Sequence, residues 1–393
     1  DDLTLTVGVR YAMDEVKAEE NLYRYSETGG ASFTALYGGL AKVNELNGGF
    51  VMTPEVLYTA ANVIAGAAVG DVMTAATPTL DEWGQPIGTA KATNGGVPFG
   101  LSVYRPFERK DEKVTGRINL DWDINEDIMM YFSATSGYRS GGYNLVFFSN
   151  TADYDGEELL AYEIGLKAQF LDNTLQFNGS VYLYDYDTIH TVATEVTSLG
   201  GTSTSVLEAP GAEIKGIEGE VLWLATDALT LGGNFSYTPN EYTEDLNVLD
   251  PGDVSRPTGL YPDQETNEKN INGNQLLQVP ELKYTGYGTY SIPLDGGSNL
   301  DFSSVYSWTD EVFYSPFENQ KEKSESYGRL DVRATWTNSD QNVIVSAYVN
   351  NILDDVAILQ VLRNGEGEHY RINAGTTLPR MMGLEFTYKL GAY

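Results

Sequence analysis

With 393 residues, no cysteine, and Lys+Arg 24 against Asp+Glu 56, the chain carries a formal net charge of −32 at pH 7. That balance argues against a nucleic-acid partner, since phosphate binding needs a basic footprint, and the lack of Cys rules out a disulfide framework and thiolate metal sites. No run approaches the roughly 18 apolar residues of a transmembrane helix, but a barrel strand needs apolar residues only at alternate positions, so low hydropathy does not exclude a membrane.

The predicted elements are strands, and they come in pairs. "LTLTVGVRY" places Leu3, Leu5, Val7, Val9 and Tyr11 on one face and Thr4, Thr6, Gly8 and Arg10 on the other. "GRINLDWDINEDIMMYFSATSGY" gives Ile118, Leu120, Trp122 and Ile124, a turn at residues 125 to 127, then Ile128, Met130, Phe132 and Ala134. In "YEIGLKAQFLDNTLQFNGSVYL" the series Tyr162, Ile164, Leu166, Ala168, Phe170 breaks at Asp172 and Asn173 and resumes as Leu175, Phe177, Gly179, Val181, Leu183. "GIEGEVLWLATDALTLGGNFSY" repeats the unit with Ile217, Val221 and Trp223, then Leu229, Leu231 and Phe235. A strand after Pro280, another through Leu300, Phe302 and Tyr306, a hairpin from Leu330 to Val349, and a closing strand with Leu384, Phe386, Tyr388 and Leu390 bring the total to about twelve.

Short and long connections alternate. "DINED", "LDN", "ATDA", "PLDGGSN" and "NSDQ" are tight turns, whereas residues 18 to 112, 140 to 158, 187 to 212, 240 to 279, 312 to 325 and 353 to 380 read as long loops. Such asymmetry belongs to an all-β, transmembrane, antiparallel up-and-down β-barrel with periplasmic turns and extracellular loops. A soluble sandwich would bury its apolar faces on a second sheet. Against that, the polar face mixes Arg, Lys, Glu and Gln with Gly, Ser and Thr, as a wet lumen would. Aromatic residues also gather at strand ends, among them Trp122, Tyr138, Trp223, Tyr237, Trp308 and Trp336, where a bilayer interface favours them. The apolar face is therefore expected to touch lipid.

"FERKDEKVTGRINLDWDINEDIMMYFSATSGYRSGGYN" (107 to 144), "EELLAYEIGLKAQFLDNTLQFNGSVYLYDYDTIH" (157 to 190), "APGAEIKGIEGEVLWLATDALTLGGNFSY" (209 to 237), "VSAYVNNILDD" (345 to 355) and "PRMMGLEFTYKL" resemble the C-terminal barrel half of TonB-dependent outer-membrane receptors. The resemblance implies a 22-stranded barrel in the outer membrane of a Gram-negative bacterium, filled by an N-terminal plug. It also implies import of a scarce solute such as an iron siderophore, a vitamin or an oligosaccharide, with energy relayed by TonB. No plug sequence and no TonB-contacting box is present, so the whole of residues 1 to 393 reads as the last twelve strands, with 18 to 112 as the longest extracellular loop. The plug, the remaining strands and TonB are then expected partners. In the last strand Gly383, Phe386 and Tyr388 fit the family's signal for the barrel-assembly machinery, while Met381 fills its polar position; an ordinary edge strand would read similarly. The competing expectation is a self-contained twelve-stranded pore or adhesion scaffold, since an even strand number could close alone.

Catalysis finds little support. Only His190 and His369 could serve a Ser/His/acid site, and each reads as a solvated loop histidine; no phosphate-cradling glycine loop or HExxH occurs, so no enzyme and no cofactor is expected. The acidic stretches "DYDGEE" (153 to 158) and "YTEDLNVLDPGD" (242 to 253) could collect Ca²⁺, but neither has EF-hand spacing, and they read as solvated loop acids. Capture of a small-molecule ligand by the extracellular loops is the stronger idea. "SGYRSGGYN" offers Tyr138, Arg139 and Tyr143 amid glycines, and "YLYDYD" offers Tyr184 and Tyr186 near a strand top; a bilayer girdle or barrel rim would use the same aromatics.

Overall fold

A computed structural model describes residues 2 to 27, 72 to 75, 98 to 144, 153 to 196, 202 to 250, 268 to 363 and 371 to 391. Twelve long strands follow one another as an antiparallel meander: β1 (Leu3–Glu27), β2 (Pro98–Asn125), β3 (Ile128–Arg139), β4 (Glu157–Phe170), β5 (Leu175–Val196), β6 (Ala212–Thr226), β7 (Leu229–Tyr237), β8 (Leu282–Pro293), β9 (Asn299–Thr309), β10 (Tyr327–Thr337), β11 (Val343–Asn350) and β12 (Met381–Tyr388). Each pairs with the next. β1 and β12 are the two edges, and among the described residues they do not pair with each other, so the closure that the competing self-contained barrel requires is not made.

The tight turns have local causes. Between β4 and β5 the chain reverses through Leu171, Asp172 and Asn173 at φ of 54°, 54° and 64°, a left-handed run that Asp and Asn tolerate better than most residues. Asn125 Oδ1 accepts the Asp127 N–H at 2.9 Å, and Thr226 Oγ1 accepts the N–H groups of Ala228 and Leu229 at 3.2 and 3.0 Å. Asn338 Oδ1 takes those of Asn342 and Val343 at 3.0 and 2.8 Å. Side chains thus stand in where the ladder ends leave backbone donors open.

The apolar face is bare. Val9 is 77% exposed, Ile164 53%, Val181 55% and Leu384 83%, and in register they continue one another across strands, as in Phe132 opposite Ile164 opposite Val181 opposite Ile217. Full burial of such a side chain is worth about 1.5–3 kcal/mol, so a surface made of them is unfavourable in water and settles in hydrocarbon. Lipid is therefore the solvent of this face, as the alternation predicts.

The described residues hold one hydrophobic core cluster, and it lies where the end of β5 and the start of β6 meet the long connections. Ala193, Ala209, Ala212, Tyr242, Val248, Ile271 and Leu276 are buried together, with Phe317 packed against them. Among the described residues, parts of the expected loops are strand. β1 and β2 stay paired through Glu27 and Pro98, so residues 18 to 27 and 98 to 112 of the predicted loop are strand; residues 28 to 71 and 76 to 97 lie outside the described residues. Ile189–Val196 likewise pairs with Thr202–Ala209 where a loop was expected. One predicted solvated acid, Asp250, is 2% exposed and accepts from Lys269 Nζ at 2.6 Å.

Candidate functional site

On the polar face, alternation stacks tyrosines up β5. Tyr182, Tyr184 and Tyr186 share it because Val181 and Leu183 turn the other way, and the Tyr182 and Tyr184 rings stack with centroids 4.8 Å apart. Tyr131 on β3 joins them: it faces Gly165 on β4, and its ring occupies the space a Cβ there would need. Gly216 makes the same room for Tyr182. The aromatic column is flanked by acceptors, with the Tyr131 hydroxyl donating to Glu163, Ser180 Oγ to Glu218 at 3.1 Å and Asn178 Nδ2 to Glu220 at 2.9 Å. Lys167 Nζ stands 5.9 Å over the Tyr131 ring. Such a surface offers π faces, carboxylates and an ammonium to whatever passes along it.

The five predicted contact residues fall into two groups. Tyr184 and Tyr186 lie on this column, within β5 rather than at its top, since the strand runs on to Val196; Tyr186 also packs against the core cluster of the connections. The other three sit at the end of β3 and just beyond it. Tyr138 has its hydroxyl buried with no hydrogen-bond partner among the described residues. Arg139 is exposed and reaches Glu157 Oε2 at 3.4 Å. Tyr143 belongs to a small hairpin in which Gly142–Tyr143 pairs with Asp153–Tyr154, and its ring lies on Phe107 of β2 with centroids 4.6 Å apart. Next to it, the Asn144 amide gives and takes hydrogen bonds with the backbone of Val206 at 2.8 and 2.9 Å, imitating a strand partner.

Tyr131 and Tyr182 were missed by sequence reasoning; the signal for Tyr182 was the same period of two that selects Tyr184 and Tyr186. Neither nitrogen of His190 is poised toward a hydroxyl: Nε2 donates to the Asp155 carbonyl at 2.6 Å and Nδ1 faces Glu157 at 3.7 Å. Its side chain is only 6% exposed, which corrects the expectation of a solvated loop histidine. His369 lies outside the described residues. Among the described residues no group of three or more His, Cys, Asp or Glu could hold a metal ion. In the long connection after β7, donation from Asn270 and then Asn272 holds the Asp245 carboxyl below the usual carboxylate range.

At the outer end of the polar face, then, a tyrosine column meets a charged rim. A family model described as "TonB dependent receptor-like, beta-barrel" matches residues 1–352. The chain is 29% identical over 208 residues to the probable TonB-dependent siderophore receptor PiuA of Acinetobacter baumannii, covering 52% of this chain and 24% of that protein. It is 23% identical over 291 residues to the pesticin receptor of Yersinia pestis, covering 72% of this chain and 37% of that one. Among solved structures, the ferric yersiniabactin uptake receptor FyuA from Yersinia pestis superposes with a TM-score of 0.56 at 18% identity, covering 75% of this chain and 39% of that one. PiuA superposes with a TM-score of 0.54 at 18% identity, covering 76% and 38%. This chain thus spans between about a quarter and two fifths of the relatives it matches. With the lipid-facing meander and the family match in agreement, the chain belongs to the TonB-dependent receptor family and forms β-barrel wall in the outer membrane of a Gram-negative bacterium.

Proposed function

We propose that the chain supplies wall and outer mouth to a receptor that imports a scarce solute, of the iron-siderophore, vitamin or oligosaccharide class, with energy delivered through TonB. The observation that carries this is the Tyr131, Tyr182, Tyr184, Tyr186 column on the lumen face, which leads from mid-wall toward the rim that bears Arg139 and Tyr143. Relatives named as siderophore receptors support uptake rather than catalysis. In this reading the two unpaired edges receive the remaining barrel strands, a plug fills the lumen and bears the TonB contact, and the barrel-assembly machinery inserts the whole.

The test uses the full-length receptor in cells and in detergent. Accumulation of radiolabelled ferric siderophores, cobalamin and maltooligosaccharides is compared between a strain carrying the gene and its deletion, with and without TonB. Uptake of one class should depend on both. Tyr184→Ala and Arg139→Ala should weaken binding of that solute by about tenfold, the size of a buried ring contact or charged hydrogen bond, while the folded barrel keeps its heat-modifiable gel mobility. Equal accumulation of all three classes in both strains overturns the proposal, and open-channel conductance in planar bilayers would replace it with a passive pore.

A further inference from the structure

His190 stands on β5 beside the rim hairpin, shut in on every side. Its Nε2–H donates to the main-chain carbonyl of Asp155 at 2.6 Å. That bond keeps the single proton of a neutral ring on Nε2, so Nδ1 is a bare acceptor 3.7 Å from Glu157 Oε1. The same Oε1 already takes the His190 backbone N–H at 2.6 Å. The Tyr154 ring closes a third side edge-on, with centroids 4.8 Å away. Glu208 lies directly across the strand pair, its carboxylate bonded to the Asp155 N–H. The cations nearby are committed elsewhere: Arg109 to Asp111 and Asp155 at 2.6 and 2.8 Å, Arg139 to Glu157 Oε2 at 3.4 Å, and Lys113 to Glu158. An acceptor nitrogen therefore faces a carboxylate oxygen, and one proton would turn that opposition into a charge-assisted hydrogen bond.

We propose that His190 is a proton-operated latch for the rim hairpin that carries Tyr143. A proton taken from solvent at Nδ1 gives the ring its second donor; Glu157 closes on it, and the ring then grips the 153 to 157 segment on both sides of Gly156, through the Asp155 carbonyl and the Glu157 carboxylate. The segment is already tightly held, for Thr188 Oγ1 donates to the Gly156 carbonyl at 2.9 Å and a Cβ at Gly156 would lie 2.6 Å from the Arg139 carbonyl. Moving Glu157 toward His190 draws it off Arg139, whose pairing is the longest in the group and whose side chain is 71% exposed. Acid thus fastens the hairpin and frees the guanidinium. Only the doubly protonated ring has a donor for each of its two oxygen neighbours, so the fastened state belongs to acid and the unfastened one to base. Any effect on cargo rests on the uptake proposal; the latch itself does not.

The experiment needs no ligand. Hydrogen exchange of the full receptor in nanodiscs is followed by mass spectrometry on peptides covering 153 to 157, at about pH 5.5 and about pH 8, after division by the intrinsic rates. Protection should be about five- to tenfold greater in acid, the scale of one charge-assisted hydrogen bond. His190→Gln, which keeps a neutral donor for the Asp155 carbonyl, should erase the difference, and Glu157→Gln, which leaves the imidazole in place, should do the same. Equal protection of the wild type at both pH values, or a pH dependence that survives in either variant, overturns the latch. Because no solute is present, failure of the uptake proposal would leave this measurement untouched.

Discussion

At the scale of single residues, the wall is fitted together by glycines that leave space for rings. Gly383, singled out in the sequence as part of an assembly signal, lies directly opposite Tyr348, and a Cβ there would fall 2.5 and 2.6 Å from the phenol oxygen and Cζ. Tyr348 is pinned in turn, since Arg333 lies 5.0 Å over its ring and donates to Glu385 at 3.0 Å. Gly383→Ala should therefore destabilise the folded wall by about 1–3 kcal/mol through overpacking, read as a lower urea midpoint for loss of heat-modifiable mobility. Adding Tyr348→Ala should restore part of the loss, because the obstruction is gone. If the double variant is no better than the sum of the two singles, the clash is not the reason glycine stands there. Phe386 and Tyr388, the other two residues of that signal, point with Leu384 into lipid.

At the scale of elements, each strand is specified by which of its faces meets hydrocarbon. Ile164 sits midway along β4 with lipid on its side, and Lys167, three residues on, faces the lumen. Ile164→Arg should cost about 2–4 kcal/mol at the bilayer midplane, whereas Lys167→Arg should stay within about 0.5 kcal/mol; refolding titrations into phosphocholine vesicles measure both. Similar costs for the two would mean that β4 has been assigned the wrong face. The sequence made this face legible because one apolar residue in two suffices where lipid touches one side, as in Leu5, Val7 and Val9. It could not show how far β1 and β2 continue. Beyond the bilayer both faces are wet, so Glu15, Lys17 and Glu108, which pair there at 2.9 and 3.0 Å, carry no apolar alternation. The burial of His190 was hidden for another reason. The groups that enclose it come from positions 154, 155, 157 and 208, and only the folded connections bring them together.

For the molecule as a whole, the decisive property is that its greasy side is the outside. The full receptor should be monodisperse in octyl glucoside and aggregate when detergent is withdrawn, with size-exclusion chromatography as the check; a monodisperse peak in plain buffer would mean that another protein layer covers these side chains. Outside the membrane the balance reverses, and the long connections hold the buried core. The ribbon of β1 and β2 belongs to neither regime. A tilted strand crosses the bilayer in about 9–11 residues, yet β1 has 25 and β2 has 28, and β3 accompanies β2 only up to Arg117. Past that point Asp14 faces Asp111 across the pair, a like-charge opposition that Arg109 offsets by pairing with Asp111 at 2.6 Å. The ribbon is thus a post with side stays, since Phe107 lies against the Tyr143 ring, Arg109 reaches Asp155 at 2.8 Å and Lys113 reaches Glu158: a sideways load on it passes into the rim hairpin and the end of β4 before it reaches the staves below.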